Sequence, residues 1–180
     1  GHYLMYLDTA MGDYWRAIAL PYQDTMHDLG GDLYVVKSSL TYKASAEYDD
    51  LLHVGLRCAR IGTSSIQFEA GIFRGQTLLV QGELVYVYAN PDSKTSLPVP
   101  PALRDTMLGF EQAETMTHLS LGPWADLKAD AAPLRKQVFV QEQGVPPDME
   151  WDALDDHSIH AVLRNRLGRS IATGRLLPAV

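Results

Sequence analysis

"GHYLMYLDTAMGDYWRAIALPY" (residues 1–22) decides how the rest of the chain is read. On a helical wheel Asp8, Thr9, Gly12, Asp13 and Arg16 fall in one narrow stripe, and nearly every other position is Tyr, Leu, Met, Ala, Trp or Ile. A helix that is apolar over most of its circumference is stable when other elements surround it, not when it lies on a surface. At about eighteen residues it could nearly span a bilayer, but two Asp and one Arg in the stripe argue against that. The stretch predicts a soluble helix wrapped by something else.

The segments after this helix supply the wrapping. "PYQDTMHDLGGD" is rich in turn formers and predicts a loop. "LYVVKSSLTYKA" then alternates, with Tyr34, Val36, Leu40 and Tyr42 on one side and Lys37, Ser39, Thr41 and Lys43 on the other. That is the period of a half-buried strand. After "SAEYDD", "LLHVGLRCA" turns Leu52, Val54, Leu56 and Cys58 inward. Past "RIGTSS", "IQFEAGIFR" aligns Ile66, Phe68, Ala70 and Ile72; past "GQT", "LLVQGELVYVYA" aligns Val80, Leu84, Tyr86 and Tyr88. Short turns between consecutive strands imply antiparallel neighbours. Their apolar face must be covered, and the first helix is the available cover before residue 100. An α+β unit with a sheet curled around one long helix is the expectation.

Composition narrows the partners. The 180 residues carry a net charge of −7 with no Lys/Arg-rich run, which disfavours nucleic acid and anionic membrane, since both call for clustered cations. Cys58 is the single cysteine, so no intrachain disulfide is expected and a reducing cytoplasm is the natural compartment. No signal peptide is evident, and no metal-ligand cluster. Residues 1–116 carry 8 Lys/Arg against 14 Asp/Glu, and residues 117–180 carry 7 against 8, a hint of two units.

"NPDSKTSLPVPPALRD" leaves the sheet, and "ALRDTMLGFEQA" predicts a short amphipathic helix. From Thr117 the pattern changes. "THLSLGPW" is a candidate strand; Asp130 and Pro133 signal a helix start ahead of Leu134 and Val138; "GVPPDMEWDALDDH" is a loop or broken turn. "SIHAVLRNRLGRSIATGRLL" predicts a hairpin turning at Leu167-Gly168.

The order of the first part, with "YLMYLDTA", "LTYKASAEYDDLL", "RIGTSSIQFEAGIFR" and "PVPPALRDTM", resembles the hotdog-fold acyl-CoA thioesterases of the 4-hydroxybenzoyl-CoA thioesterase type. The resemblance runs from Tyr3 to about Glu111 and implies a hotdog domain over residues 1–116. It implies hydrolysis of an acyl-CoA thioester without metal or redox cofactor, and pairing as a homodimer or homotetramer. Such proteins place one more strand, an Asp, and a Gly-His-Val-Asn-Asn run before the helix. The Asp acts on the thioester carbonyl, and backbone N–H groups at the helix start hold the oxyanion. In this sequence Gly1-His2 is followed directly by Tyr3. The expectation is therefore that this acid and the first strand lie upstream of Gly1 in a longer chain; a domain that has lost its catalyst is the alternative.

Site residues come from the same resemblance. His2 stands where the family has its Gly-His, Asp8 where it often has an acid, and Thr63, Ser64 and Ser65 where relatives approach the CoA moiety. Each also has a plainer reading: an extraneous N-terminal residue, a surface position on the polar stripe, and a hydrophilic hairpin turn. Cys58 on an apolar strand face reads as core packing.

"LRKQVFVQEQGVPPDMEWDALDDHSIHAVLRNRLGRSIATGRL" resembles the N-terminal half of a GNAT-superfamily acetyltransferase. The resemblance implies a partial GNAT-like α/β segment over 117–180, with Glu142 and Glu150 on the acceptor side of an amine. It implies acetyl-CoA as cofactor if the module is complete and active, and the glycine-rich pyrophosphate loop of that superfamily does not occur before Val180. A solvated acidic loop is the plainer reading of the two glutamates, and a satisfied strand histidine that of His160. Three functions stay open: acyl-CoA thioesterase, N-acetyltransferase with the hotdog domain as dimerisation scaffold, and non-catalytic CoA-ester-binding module.

Overall fold

The computed structural model describes residues 2–150 and 152–177. The chain divides into two compact units, Gly1–Glu114 and Thr115–Val180.

The first unit opens with α1 (His2–Ala17), which buries Leu7, Met11, Tyr14 and Trp15, spaced by three, four and seven residues as one helix face requires. The helix stops at Ala19, whose φ of 58° lets the Leu20 N–H reach the Trp15 carbonyl at 3.1 Å. This closure seats Ile18 and Leu20 in the core. Burial on one face corrects the expectation of a helix swallowed all round: Leu4, Met5 and Tyr6 stay exposed, Met5 at 63%. The sheet covers one side of the helix, and its first two turns keep an apolar surface.

The segment expected as a loop holds a helix, α2 (Tyr22–Leu29). Pro21 starts it, Asp24 sits in its first turn, and Gly30 ends it in the left-handed region at φ 73°. These capping signals stand in the sequence, and Thr25 and Met26 supply the buried face.

Strands β1 (Asp32–Tyr42), β2 (Leu52–Ile61), β3 (Ser65–Arg74) and β4 (Thr77–Ala89) form an antiparallel sheet in the order β1-β4-β3-β2. The expected inward residues of β3 are all buried: Ile66, Phe68, Ala70 and Ile72. In β1 a bulge between Val35 and Lys37 interrupts the alternation. Val36, expected inward, is 61% exposed, and Tyr42 at the far end is exposed too. A bulged edge strand has one residue without a partner, so a strict period of two fails there.

Gly82 sits where the helix meets the sheet. A Cβ at this position would lie 3.0 Å from Leu7 Cδ1, 3.3 Å from Ala70 Cβ and 3.4 Å from Leu40 Cδ2. Helix α3 (Pro101–Glu111) comes after the proline segment and buries Leu103, Thr106 and Met107.

The second unit contains β5 (Thr117–Pro123), α4 (Trp124–Arg135), α5 (Pro147–Glu150), β6 (Ile159–Asn165) and β7 (Ser170–Leu176), with the antiparallel order β5-β6-β7. The hairpin turns at Gly168, φ 81°. The helix begins at Trp124, earlier than the Asp130 and Pro133 signals suggest, and carries Pro133 inside it. Pro133 has no N–H to give, and the chain continues as a π-helical stretch from Lys136 to Glu142. Trp124, Leu127, Ala131 and Val162 form its core.

Replacing Gly82 with Ala should lower stability by about 1–3 kcal/mol through overpacking. Pairing it with Leu7→Ala should recover part of that loss, because the first contact met by the new methyl is removed. Urea denaturation of the two single variants and the double variant measures the coupling; strictly additive losses would contradict the contact.

Candidate functional site

Helix α1 presents its start to one end of the sheet. Tyr3 packs edge-on against Tyr42 at 5.8 Å and against Tyr6 at 6.0 Å. The N–H groups of a helix's first turn have no acceptor within the helix, and they sit at the positive end of its dipole. No acidic residue stands in this first turn. His2 is exposed, and Gly1 lies outside the described residues. The arrangement is an electropositive helix end beside an exposed apolar surface of Leu4, Met5, Tyr6 and Tyr42. Chemically it can accept an oxygen that gains negative charge while an apolar group lies alongside.

Asp8 is exposed on the polar stripe, one turn further along. Burial raises the pKa of Tyr86, and the charge of Asp8 adds to that rise.

The Thr63–Ser65 turn is fixed by its backbone. Gly62 N donates to Ser65 O, Tyr88 N to Ser64 O and Val99 N to Thr63 O, each at 2.8 Å. Arg104 of α3 donates to the carbonyls of Ile61 at 3.0 Å and Gly62 at 2.5 Å. The turn lies at the other end of the sheet from the α1 start: Ser65 pairs with Val87, whereas Tyr42 pairs with Val80. The stretch of β4 from Val80 to Val87 separates the two, roughly 23 Å of strand. Within one copy of the unit the structure does not bring His2 and Thr63–Ser65 together.

Between them runs a groove of about 390 Å³ along α1, lined on the sheet side by Val54 and Leu56 and closed by Tyr14 and Phe110. Tyr14 of its lining belongs to a constellation that the patterning of the sequence does not single out. Glu111 Oε1 accepts from the Tyr14 hydroxyl at 3.1 Å and from the Cys58 backbone N–H at 2.7 Å. Burial, then the fields of Cys58 and Glu111, push the Tyr14 hydroxyl well above its ordinary range. Burial, then the Glu111 charge, push the Cys58 thiol up to about 12. Both groups stay protonated at neutral pH, so Cys58 is packing and not a nucleophile. Glu111 is ninety-seven residues from Tyr14, and no local pattern could have linked them.

The two glutamates expected on an amine-acceptor side part company. Glu142 is exposed, with Gln137 Nε2 at 3.4 Å. Glu150 is buried against Arg135, which donates to its Oε1 at 2.5 Å. Arg135 also reaches Asp155 Oδ1 at 2.8 Å. Burial alone would raise the Asp155 pKa, but hydrogen bonds and charge from Arg135 and Arg175 outweigh it and hold the carboxyl below the usual range. Among the described residues no group of three metal-ligating side chains occurs, and no helix is long and apolar enough to cross a membrane.

Residues 1–91 match the model of the thioesterase superfamily. Among solved structures the chain is similar to a 1,4-dihydroxy-2-naphthoyl-CoA thioesterase from Synechocystis, at 18% identity and a TM-score of 0.54, covering 61% of this chain and 82% of that one. It is similar to a DHNA-CoA thioesterase from Staphylococcus aureus at 18% identity and a TM-score of 0.54, covering 63% and 76%. A hypothetical protein from Staphylococcus aureus, solved in complex with CoA, matches at 13% identity and a TM-score of 0.55, covering 63% and 72%. At such identities these three likenesses are of fold. The second unit lies outside the superfamily match.

The Cys58 thiol predicts a titration. Its pKa is 9.0 in the ordinary case and about 12 here, so the native state resists ionisation that the unfolded chain allows. The stability from keeping it neutral is full below pH 9 and falls as pH rises towards 12. At pH 9 a thiol reagent should label Cys58 only after denaturation; rapid labelling of native protein would contradict the burial.

Proposed function

The chain belongs to the thioesterase superfamily, and from that premise we propose that its first unit hydrolyses an acyl-CoA thioester to the free acid and CoA. The observation that carries this reading is the start of α1, a positive helix end with no acid in its first turn and with exposed Leu4, Met5 and Tyr6 beside it. The thioester carbonyl oxygen lies on the free N–H groups, and the acyl chain lies on the apolar flank. Water adds to the carbonyl carbon and gives its proton to a carboxylate; the C–S bond breaks and CoA leaves as the thiol. The resemblance assigns that carboxylate to an Asp preceding Gly1, with His2 beside the carbonyl; Asp8, one turn along the helix, is the nearer but weaker candidate. No metal or redox cofactor enters.

The hydroxyls of Thr63, Ser64 and Ser65 are the proposed contacts for the CoA moiety. Their distance from the α1 start within one copy favours a site shared between two, and the reading takes a homodimer or homotetramer as the working form. A lone buried thiol supports a reducing compartment, the cytoplasm.

A second reading is an N-acetyltransferase acting from the second unit on acetyl-CoA and an amine, with the first unit as dimerisation scaffold. This reading rests on the resemblance of the stretch from Leu134 to the GNAT N-terminal half alone.

The test is CoA release by the full chain from a panel of aliphatic and aromatic acyl-CoA esters. Hydrolysis of a panel member is expected. Met5→Glu, which sets a negative charge in the first turn at an exposed position, should lower kcat/KM about tenfold and leave the melting temperature unchanged. A folded chain that turns over no member contradicts the proposal, and tight CoA-ester binding without turnover would select the non-catalytic binding module.

A further inference from the structure

The sheet of the second unit has two unlike faces. On one, Trp124 of α4 lies against His160 with ring centroids 4.7 Å apart, and Leu127 and Ala131 join Val162 in the core. The residues that alternate with these point the other way, and the strand register sets them in three rows. Leu121, Ala161 and Gly174 stand abreast across β5, β6 and β7. Leu119, Leu163 and Ala172 flank that row on one side, and Pro123, Ile159 and Leu176 on the other. No charged side chain stands in these rows. Leu119, Leu121, Ile159 and Leu176 are 55–67% exposed. A contiguous apolar face of this kind marks a contact surface.

The relief of the face says what fits on it. Strand β5 carries two protruding leucines, Leu119 and Leu121, and β7 carries Ala172 and Gly174 at the same levels, both exposed. A Cβ built on Gly174 would meet nothing within 4 Å, and its φ lies outside the left-handed region. Neither the backbone nor the packing of one copy calls for a glycine there, and the space above it is open. Knobs and hollows thus stand on the two outer strands, on either side of β6. A two-fold axis above β6 and parallel to it exchanges β5 with β7, so the knobs of each copy meet the hollows of the other. Ala161, a small residue, stands at the centre of this arrangement, and two sheets stacked in this way lie about 10 Å apart. Three strands of seven residues measure roughly 24 by 14 Å, so two faces hide about 700 Å² in projection, and more along the relief of their leucines. That is the scale of a weak, reversible interface and not of an obligate one.

We propose that two copies of this chain associate reversibly through this face as a two-fold sheet-on-sheet pair, with Leu121 of each copy seated over the partner's Gly174. The contact uses side chains of the second unit alone. It is separate from thioester hydrolysis and from any pairing of the first unit.

The test is an isotope-filtered NOE measurement on the full chain, mixed one to one from ¹³C-labelled and unlabelled protein. Within one copy Leu121 and Gly174 stand two strands apart, about 10 Å, too far for a cross-peak. Between copies the Leu121 methyls should show cross-peaks to the Gly174 Hα, and these should fade on dilution. Gly174→Leu fills the hollow and Leu121→Lys sets a charge on the knob; each should weaken the association at least tenfold, read from the concentration dependence of the Leu119 and Leu163 methyl shifts. Both substitutions fall at exposed positions and should leave the melting temperature of the dilute chain unchanged. Absent cross-peaks, cross-peaks in another register, or undiminished association of both variants would each overturn the proposal. Saturation of the face by an added leucine-rich amphipathic peptide, with no self-association, would overturn it too and assign the face to a helical partner.

Discussion

Everything in the first unit depends on how closely α1 can approach the sheet, and Gly82 sets that distance. With no side chain there, Leu7 Cδ1, Ala70 Cβ and Leu40 Cδ2 close around the space a Cβ would take, all within 3.4 Å of it. The contact fixes the rotation of the helix, so that Met11, Tyr14 and Trp15 join Leu7 in the core. Tyr14 then meets Phe68 and Phe110 edge-on at 5.2 and 5.3 Å. The same rotation leaves the polar stripe and the first two turns outside. A helix seated by its middle leaves side chains of its first two turns outside the core.

The sheet order leaves two edges, β1 and β2, and each is managed differently. Edge strands with unpaired backbone groups invite pairing with other chains. On β2, α3 satisfies the far half: Glu111 takes the Cys58 N–H, and Arg104 binds the carbonyls at the turn. On β1 the bulge at Val36 breaks the regular edge, and Lys37 pairs with Glu83 of the neighbouring strand at 2.5 Å. The same helix places Phe110 on the groove beside α1, so edge protection and groove geometry share one element.

Much of this is legible from residue order alone. Strands β2, β3 and β4 announce themselves because each buries one face, and alternation is the direct print of that burial. The α1 segment is legible as a helix but not as one covered on a single side, since an apolar wheel records what could be buried and not what is. The bulge in β1 and the π-helical stretch after Pro133 are decided by tertiary fit, and no local period marks them. Of the site residues, His2 and Thr63–Ser65 are picked by resemblance, and the structure sets them at opposite sheet ends. Glu111, Tyr14 and Cys58 converge from three elements. Such convergence across long separations leaves no signature in spacing.

The seating of α1 on β3 and β4 can be measured by native-state hydrogen exchange. If the Leu7–Gly82 contact holds the helix as described, the amides from Met11 to Ile18 should exchange only through global unfolding, with the same free energy and denaturant dependence as those at the centre of β3 and β4. Exchange of that helical segment through a separate, low-energy opening while β3 and β4 stay protected would contradict the account.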